Sequence, residues 1–296
     1  MAQKPFVGVY AAMLTPRTAR GRIDMDALAR LVRFLMAKGV SSFALNGATG
    51  EFCLTTPEEL RTILRTVKET SEGRGRILCG VGSAGSEGAV ALARIAEDEG
   101  VDGLLLPMPY FFRYEQNDLE LFSRTVARST ELPALLYNLP QFSSGLEKET
   151  VRRLILDVPN IVGIKDSSGS LDILRDLTAN GVEACRIVGN DGVLAQAREE
   201  GVCDGVVSGV ACALPELVTD LYRNPLGSDE FRRSTRLMEE LLSRLGQFPA
   251  PWGVKWAVEA RGVVDATFSQ PMTKQRLEQG REFIVWLRQW LTDALG

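Results

Sequence analysis

From residue 6 to residue 224, short apolar runs alternate with longer amphipathic ones. Apolar runs of about four to eight residues bounded by Gly, Pro or polar residues read as buried strands; apolar positions three and four apart read as helices. Strands are thereby predicted at 7–13, 42–46, 76–81, 103–108, 134–138, 161–165, 186–189 and 205–208. Helices are predicted between them, at about 27–38, 57–72, 87–99, 115–130, 147–156, 170–179, 191–200 and 214–223. Thr56-Pro57-Glu58-Glu59 places a capping hydroxyl, a proline and two acids where a helix begins. Gly39, Gly100, Gly181 and Gly201 each stand just past a helix end.

Strands that are apolar nearly throughout, rather than alternating, belong to parallel sheets covered on both faces. Eight such strand–helix units predict a closed (β/α)₈ barrel, with an open doubly wound sheet as the alternative. After residue 224 the pattern turns to helices alone, at about 228–245, 252–261 and 273–294. The chain is therefore read as a barrel domain over 1–224 and a C-terminal helical bundle over 225–296, packed on it. The first 14 residues carry one lysine and a short apolar run, faintly like a leader; lacking a clear cleavage site, they are read as the first strand.

Composition narrows the chemistry. The chain has 296 residues and a net charge of −4, with both signs interspersed, so no basic face for nucleic acid or anionic lipid is expected. No apolar run reaches membrane-spanning length. Five cysteines without a C-x-x-C pair read as reduced core residues of a cytoplasmic protein. The chain has no histidine. That excludes Ser–His and Cys–His nucleophile pairs and the common zinc sites, and leaves proton transfer to Lys, Tyr, Asp, Glu or the substrate. No metal or cofactor is expected.

In a barrel of this type the chemistry sits where strands end. The run Ile161-Val162-Gly163-Ile164 ends in Lys165-Asp166. An amine walled by apolar groups is disfavoured as a cation, which frees a lone pair to condense with a carbonyl. Tyr137 ends the preceding strand, and its phenol can carry protons beside a lysine-bound imine. Gly47-Ala48-Thr49-Gly50-Glu51 offers consecutive backbone N–H groups and a hydroxyl, a nest for a carboxylate. Gly80-Val81-Gly82-Ser83-Ala84-Gly85 matches the dinucleotide fingerprint literally, but falls at the third strand–helix turn and is read as a tight turn. The tail tryptophans, Trp252, Trp256, Trp286 and Trp290, are spaced by four and read as packing ridges or a subunit contact.

With these strand ends in view, the chain resembles the dihydrodipicolinate synthase / N-acetylneuraminate lyase family of pyruvate-handling class I aldolases. The resemblance rests on Leu14-Thr15-Pro16, Gly-x-Thr-Gly-Glu at 47–51, Pro109-Tyr110, Tyr137-Asn138-x-Pro140, Gly163-Ile164-Lys165-Asp166, Gly189-x-Asp191, Val254-Lys255-Trp256-Ala257 and Pro271-Met272-Thr273. It implies that Lys165 forms an imine with pyruvate or another 2-oxo acid and that Tyr137 carries the proton. It implies that Thr49 and the backbone at Ala48 hold the carboxylate, and that the enzyme is a homotetramer built as a dimer of dimers. Tyr110, Ser167, Gly189, Asp191, Val207 and Ser208 look like the remaining substrate-binding positions.

Where the synthases carry a second threonine, a second tyrosine and a loop arginine, this chain has Ala48, Phe111 and Gln141-Phe142-Ser143-Ser144. The expected reaction is therefore cleavage of a hydroxylated 2-oxo acid, of the 2-keto-3-deoxy sugar acid or 4-hydroxy-2-oxoglutarate type, to pyruvate and an aldehyde. Gly192 stands where sialic-acid lyases carry an acid, which argues against sialic acid. The alternatives are 4-hydroxy-tetrahydrodipicolinate synthase, a dehydratase using the same imine, a non-catalytic 2-oxo-acid sensor and, from residues 80–85 alone, a nucleotide-dependent oxidoreductase.

Overall fold

The computed structural model describes residues 4–295. Its strands are β1 Gly8–Ala12, β2 Ser42–Leu45, β3 Arg76–Gly80, β4 Gly103–Pro107, β5 Ala134–Asn138, β6 Ile161–Asp166, β7 Cys185–Val188 and β8 Gly205–Ser208. All pair in parallel and in chain order, and β8 returns to β1, so the barrel is closed. The helices outside it are α1 Met25–Ala37, α2 Pro57–Thr70, α3 Ser86–Asp98, α4 Gln116–Ala127, α5 Lys148–Asp157, α6 Asp172–Ala179, α7 Leu194–Glu199 and α8 Pro215–Arg223. The expected start signal of α2 is a full capping box, with Thr56 and Glu59 each accepting the other's backbone N–H. Of the leader-like opening, residues 1–3 lie outside the described residues, and β1 begins at Gly8. No helix among the described residues is long and apolar enough to cross a membrane.

Side-chain alternation along the strands creates two cores. Phe6, Tyr10, Leu78, Leu105, Leu135 and Ile187 fill the barrel interior. Leu104, Leu106, Leu136, Ile164 and Val206 point the other way, into the layer beneath the helices. Three further helices follow the C-cap of α8 at Asn224: α9 Asp229–Leu245, α10 Trp252–Ala260 and α11 Lys274–Leu295. Their buried faces, including Met238, Leu241, Trp256 and Leu287, join that outer layer. Trp252 and Trp256 both close on the ring of Phe268, and Trp286 lies against Trp290.

Two departures from the sequence pattern shape the mouth. The helix expected at 191–200 opens with a 3₁₀ turn, Asp191–Val193, because the Asn190 side chain accepts the Gly192 N–H and tightens the chain there. A second 3₁₀ turn, Val210–Cys212, precedes α8. Both turns keep their residues at the strand ends rather than on a helix.

Candidate active site

The register of β5 against β6 brings the central pair together. Ala134 pairs Ile161, but Leu135 already pairs Gly163, so one residue of β6 is skipped. A slip of one residue exchanges the faces of a strand. Here it sets Tyr137 opposite Lys165 and Asn138 opposite Asp166. Lys165 Nζ lies 3.8 Å from the centroid of the Tyr137 ring, a cation–π distance. Lys165 is 3% exposed and Tyr137 2%.

The alternate residues of the same strands lock that register from outside the barrel. Asn138 Nδ2 donates to Asp166 Oδ1 at 3.1 Å, and the Ser168 N–H donates to the same oxygen at 2.9 Å. Asn138 Oδ1 in turn accepts the Leu146 N–H at 3.0 Å. Burial pushes the Asp166 carboxyl above its ordinary range, against the lowering pull of Ser168 and Asn138. Asp166 and Asn138 thus tie together the strand ends that carry Lys165 and Tyr137.

The second loop is held equally firmly. Asn46 takes a left-handed conformation, φ 53°, and its Nδ2 donates to Gly80 O at 2.8 Å. A Cβ on Gly80 would collide with the Asn46 carbonyl, and one on Gly82 would enter the ring of Phe52. This accounts for the literal G-x-G-x-x-G run: its first two glycines make room for the 46–52 segment. That segment delivers Ala48 and Thr49 to the mouth.

The seventh and eighth strand ends complete the ring. A Cβ on Gly189 would strike Ser167 Oγ and lie 2.9 Å from Lys165 Cε, so the stem of the lysine passes over a glycine by necessity. Ser167 Oγ donates to Gly189 O at 3.0 Å. Asp191 Oδ2 accepts the Val210 N–H at 3.2 Å, while its Oδ1 is shut from solvent without a partner. Burial raises the Asp191 carboxyl; the Ser208 hydroxyl, the Val210 N–H and the charge of Lys165 oppose the rise.

Lys165, Tyr137, Thr49 and Ala48 share one cavity of about 460 Å³ with Ser167, Gly189, Asp191 and Val207. Two predicted residues are not brought there. Tyr110 turns its ring onto Phe52, with centroids 5.5 Å apart. Ser208 is fully buried, and its hydroxyl accepts the Ala211 N–H at 2.9 Å, so it acts behind Asp191. Sequence reasoning missed the outer wall, formed by Leu242 and Leu245 of α9, the segment from Phe248 to Pro251, and Val254 of α10. Only the Val254-Lys255 pair, within the tail motif, carried a hint of it. A larger cavity of about 560 Å³ borders Glu51; of its three cations, Arg17 pairs with Glu59 and Lys255 with Glu51, and Arg20 is the third.

Comparison with known proteins agrees with this geometry. The model of the dihydrodipicolinate synthetase family matches residues 5–289. The 4-hydroxy-tetrahydrodipicolinate synthase of Sorangium cellulosum is 31% identical over 276 residues, covering 92% of each chain. The structure of the 4-hydroxy-tetrahydrodipicolinate synthase of Methylacidiphilum fumariolicum superposes with a TM-score of 0.88 at 31% identity, over 98% of both chains. The dihydrodipicolinate synthase of Acinetobacter baumannii, solved in complex with pyruvate, superposes with a TM-score of 0.86 at 27% identity, over 97% of this chain and 98% of that one.

Proposed function

The chain belongs to the dihydrodipicolinate synthetase family, whose members are lyases working through a lysine Schiff base with pyruvate, and on that footing we propose that Lys165 is the imine-forming residue. Its amine attacks the ketone of a 4-hydroxy-2-oxo acid and water leaves, giving a protonated imine. The Tyr137 hydroxyl relays the proton from the C4 hydroxyl. The C3–C4 bond then breaks, its electron pair passes to the iminium, and an aldehyde departs. That proton, returned through Tyr137, protonates the enamine at C3, and addition of water to the imine releases pyruvate and free Lys165. Thr49 and the backbone at Ala48 hold the 2-oxo acid carboxylate. Asp191 and Ser167 face the C4 hydroxyl, with Gly189 and Val207 as floor.

The observation that carries this reading is the Tyr137–Lys165 pair, 3.8 Å apart and buried in a cavity shared with Thr49. A second reading, condensation of pyruvate with aspartate semialdehyde, is favoured by the names of the relatives, which are synthases. Against it stands the lining: Lys165 and Asp191 are its only charged side chains, so no guanidinium receives a second carboxylate. Borohydride reduction with pyruvate, followed by peptide mapping, should place the adduct on Lys165. Tyr137→Phe should still trap pyruvate but lose about 10² to 10⁴ in turnover. An adduct on another lysine defeats the assignment, and efficient turnover of aspartate semialdehyde selects the second reading.

Assembly as a homotetramer belongs to the same proposal. Phe111 and Phe112 are 85% and 64% exposed and stack edge to face, an apolar pair that supports a contact between copies. Analytical ultracentrifugation giving a monomer mass would remove this part.

A further inference from the structure

The lining of the cavity divides by chemistry: polar groups stand around Lys165, and apolar side chains arrive from segments outside the barrel strands. Around Lys165 stand Thr49, Tyr137, Ser167 and Asp191, matching the carboxylate, imine and C4 hydroxyl of a 2-oxo acid. The loop after β5, α9, the segment that follows it and α10 add Phe142, Leu242, Leu245, Phe248 and Val254 to the lining. The two amide side chains of the lining, Gln141 and Asn190, each spend one group inside the chain. Gln141 Nε2 donates to the carbonyls of Ser167 and Ser168 at 3.0 and 3.2 Å. Asn190 Oδ1 accepts the Gly192 N–H at 2.9 Å. At Gly192 itself there is no side chain, and the methyl of Leu242 comes within 3.8 Å of where a Cβ would stand.

We infer that the aldehyde half of the substrate is uncharged and apolar, an alkyl or aryl aldehyde rather than an acidic or polyhydroxylated one. This rests on the Lys165 reading above and names the substrate class of the same site. A carboxylate or phosphate on the tail would lose its water against leucine and phenylalanine side chains. It would also face the Asp191 carboxylate, while Lys165, the one cation of the lining, is committed to the imine. A polyol tail would find only the free ends of Gln141 and Asn190 among these apolar side chains, whereas an alkyl or aryl group gains from leaving water. Space permits it: about 460 Å³ matches the volume of roughly fifteen waters, more than pyruvate alone requires.

The test compares 4-hydroxy-2-oxo acids that differ only in the C4 substituent: phenyl, butyl, a trihydroxypropyl chain and carboxylate. Pyruvate release gives kcat/KM for each, and borohydride trapping of pyruvate on Lys165 is run in parallel. The phenyl and butyl compounds should exceed the carboxylate by at least about 100-fold. Phe142→Arg, at an exposed rim position, should narrow that ratio by about tenfold or more while leaving pyruvate trapping intact. Trapping on Lys165 together with preference for the carboxylate or the polyol overturns this inference and spares the Schiff-base reading. Absence of any adduct on Lys165 overturns both.

Discussion

Lys165 and Lys255 are 3% and 6% exposed, yet their ammonium groups meet different company. Lys255 Nζ donates to Glu51 Oε2 at 2.5 Å and to Thr267 O at 2.8 Å. Its charge is matched, and it ties the second loop to α10. Lys165 rests over an aromatic ring, and the ion pairs among the described residues do not include it. Burial alone is therefore a poor guide to a reactive amine. A buried lysine with a carboxylate is a tether; one without it is not held by an ion pair. The two are connected through the chain. Glu51 stands two residues beyond Thr49, and Lys255 follows Val254, so the tether holds both the carboxylate nest and part of the apolar rim.

The sharpest way to break the comparison is to change each lysine to methionine. Lys165→Met should abolish the borohydride adduct and lower turnover by about 10⁴ or more, since nucleophile loss leaves only binding and positioning. Its melting temperature should change little, because the loss of a buried charge without an ion pair is offset by the loss of its pull on Asp191. Lys255→Met should do the reverse. It strands Glu51 without its cation and should cost about 3–5 kcal/mol in unfolding free energy, read from denaturant midpoints. Where still folded, it should form the adduct. A Lys255 variant that is stable but cannot be trapped would exchange the two roles.

A smaller effect tests how narrowly Lys165 is placed. Gly189→Ala adds a methyl that meets Ser167 Oγ and Lys165 Cε, the latter at 2.9 Å. The stem has to move, and a displacement of about 1 Å near the reacting atoms is worth about 10² in rate. Trapping should slow and kcat fall by about that factor, with a stability loss of about 1–3 kcal/mol from overpacking. Unchanged trapping kinetics would mean that the lysine is less constrained than its neighbours make it look.

How much of this was legible beforehand follows from the range over which each signal acts. The barrel was readable because every strand is a short apolar run closed by Gly, Pro or a polar residue, and many helices carry their own local punctuation. Lys165 and Tyr137 were readable because a polar residue ending such a run must lie at the mouth. The slip between Ala134 and Leu135 that sets them face to face was not, since skipping a residue leaves no local trace in the pattern. Nor was the rim. Leu242 and Leu245 sit on the amphipathic stripe of α9, which predicts burial without saying against what. Ser208 and Tyr110 show the converse: sequence position placed them at strand ends, and side-chain direction took them out of the cavity.

The smallest predicted effect concerns Asp191, the acidic side chain of the cavity. Its folded carboxyl is raised, mainly by burial, while the charge of Lys165 pulls it down. A raised folded value means that the native state holds the proton more tightly than the unfolded chain does. Well below the ordinary carboxylate range both states are protonated and the group is neutral in its effect. As pH rises the unfolded chain ionises first, so stability falls until the native carboxyl ionises too, and the penalty is constant thereafter. Asp191→Asn removes that slope. Between about pH 3 and about pH 8 its melting temperature should move from equality with the parent to about 2 °C above it, a difference of order 1 kcal/mol. In a Lys165→Met background the lowering pull is absent, so the same substitution should stabilise more. Scanning calorimetry of the four proteins measures both statements. A gain that is flat with pH, or no larger without Lys165, would mean that Asp191 feels neither its burial nor the amine across the cavity.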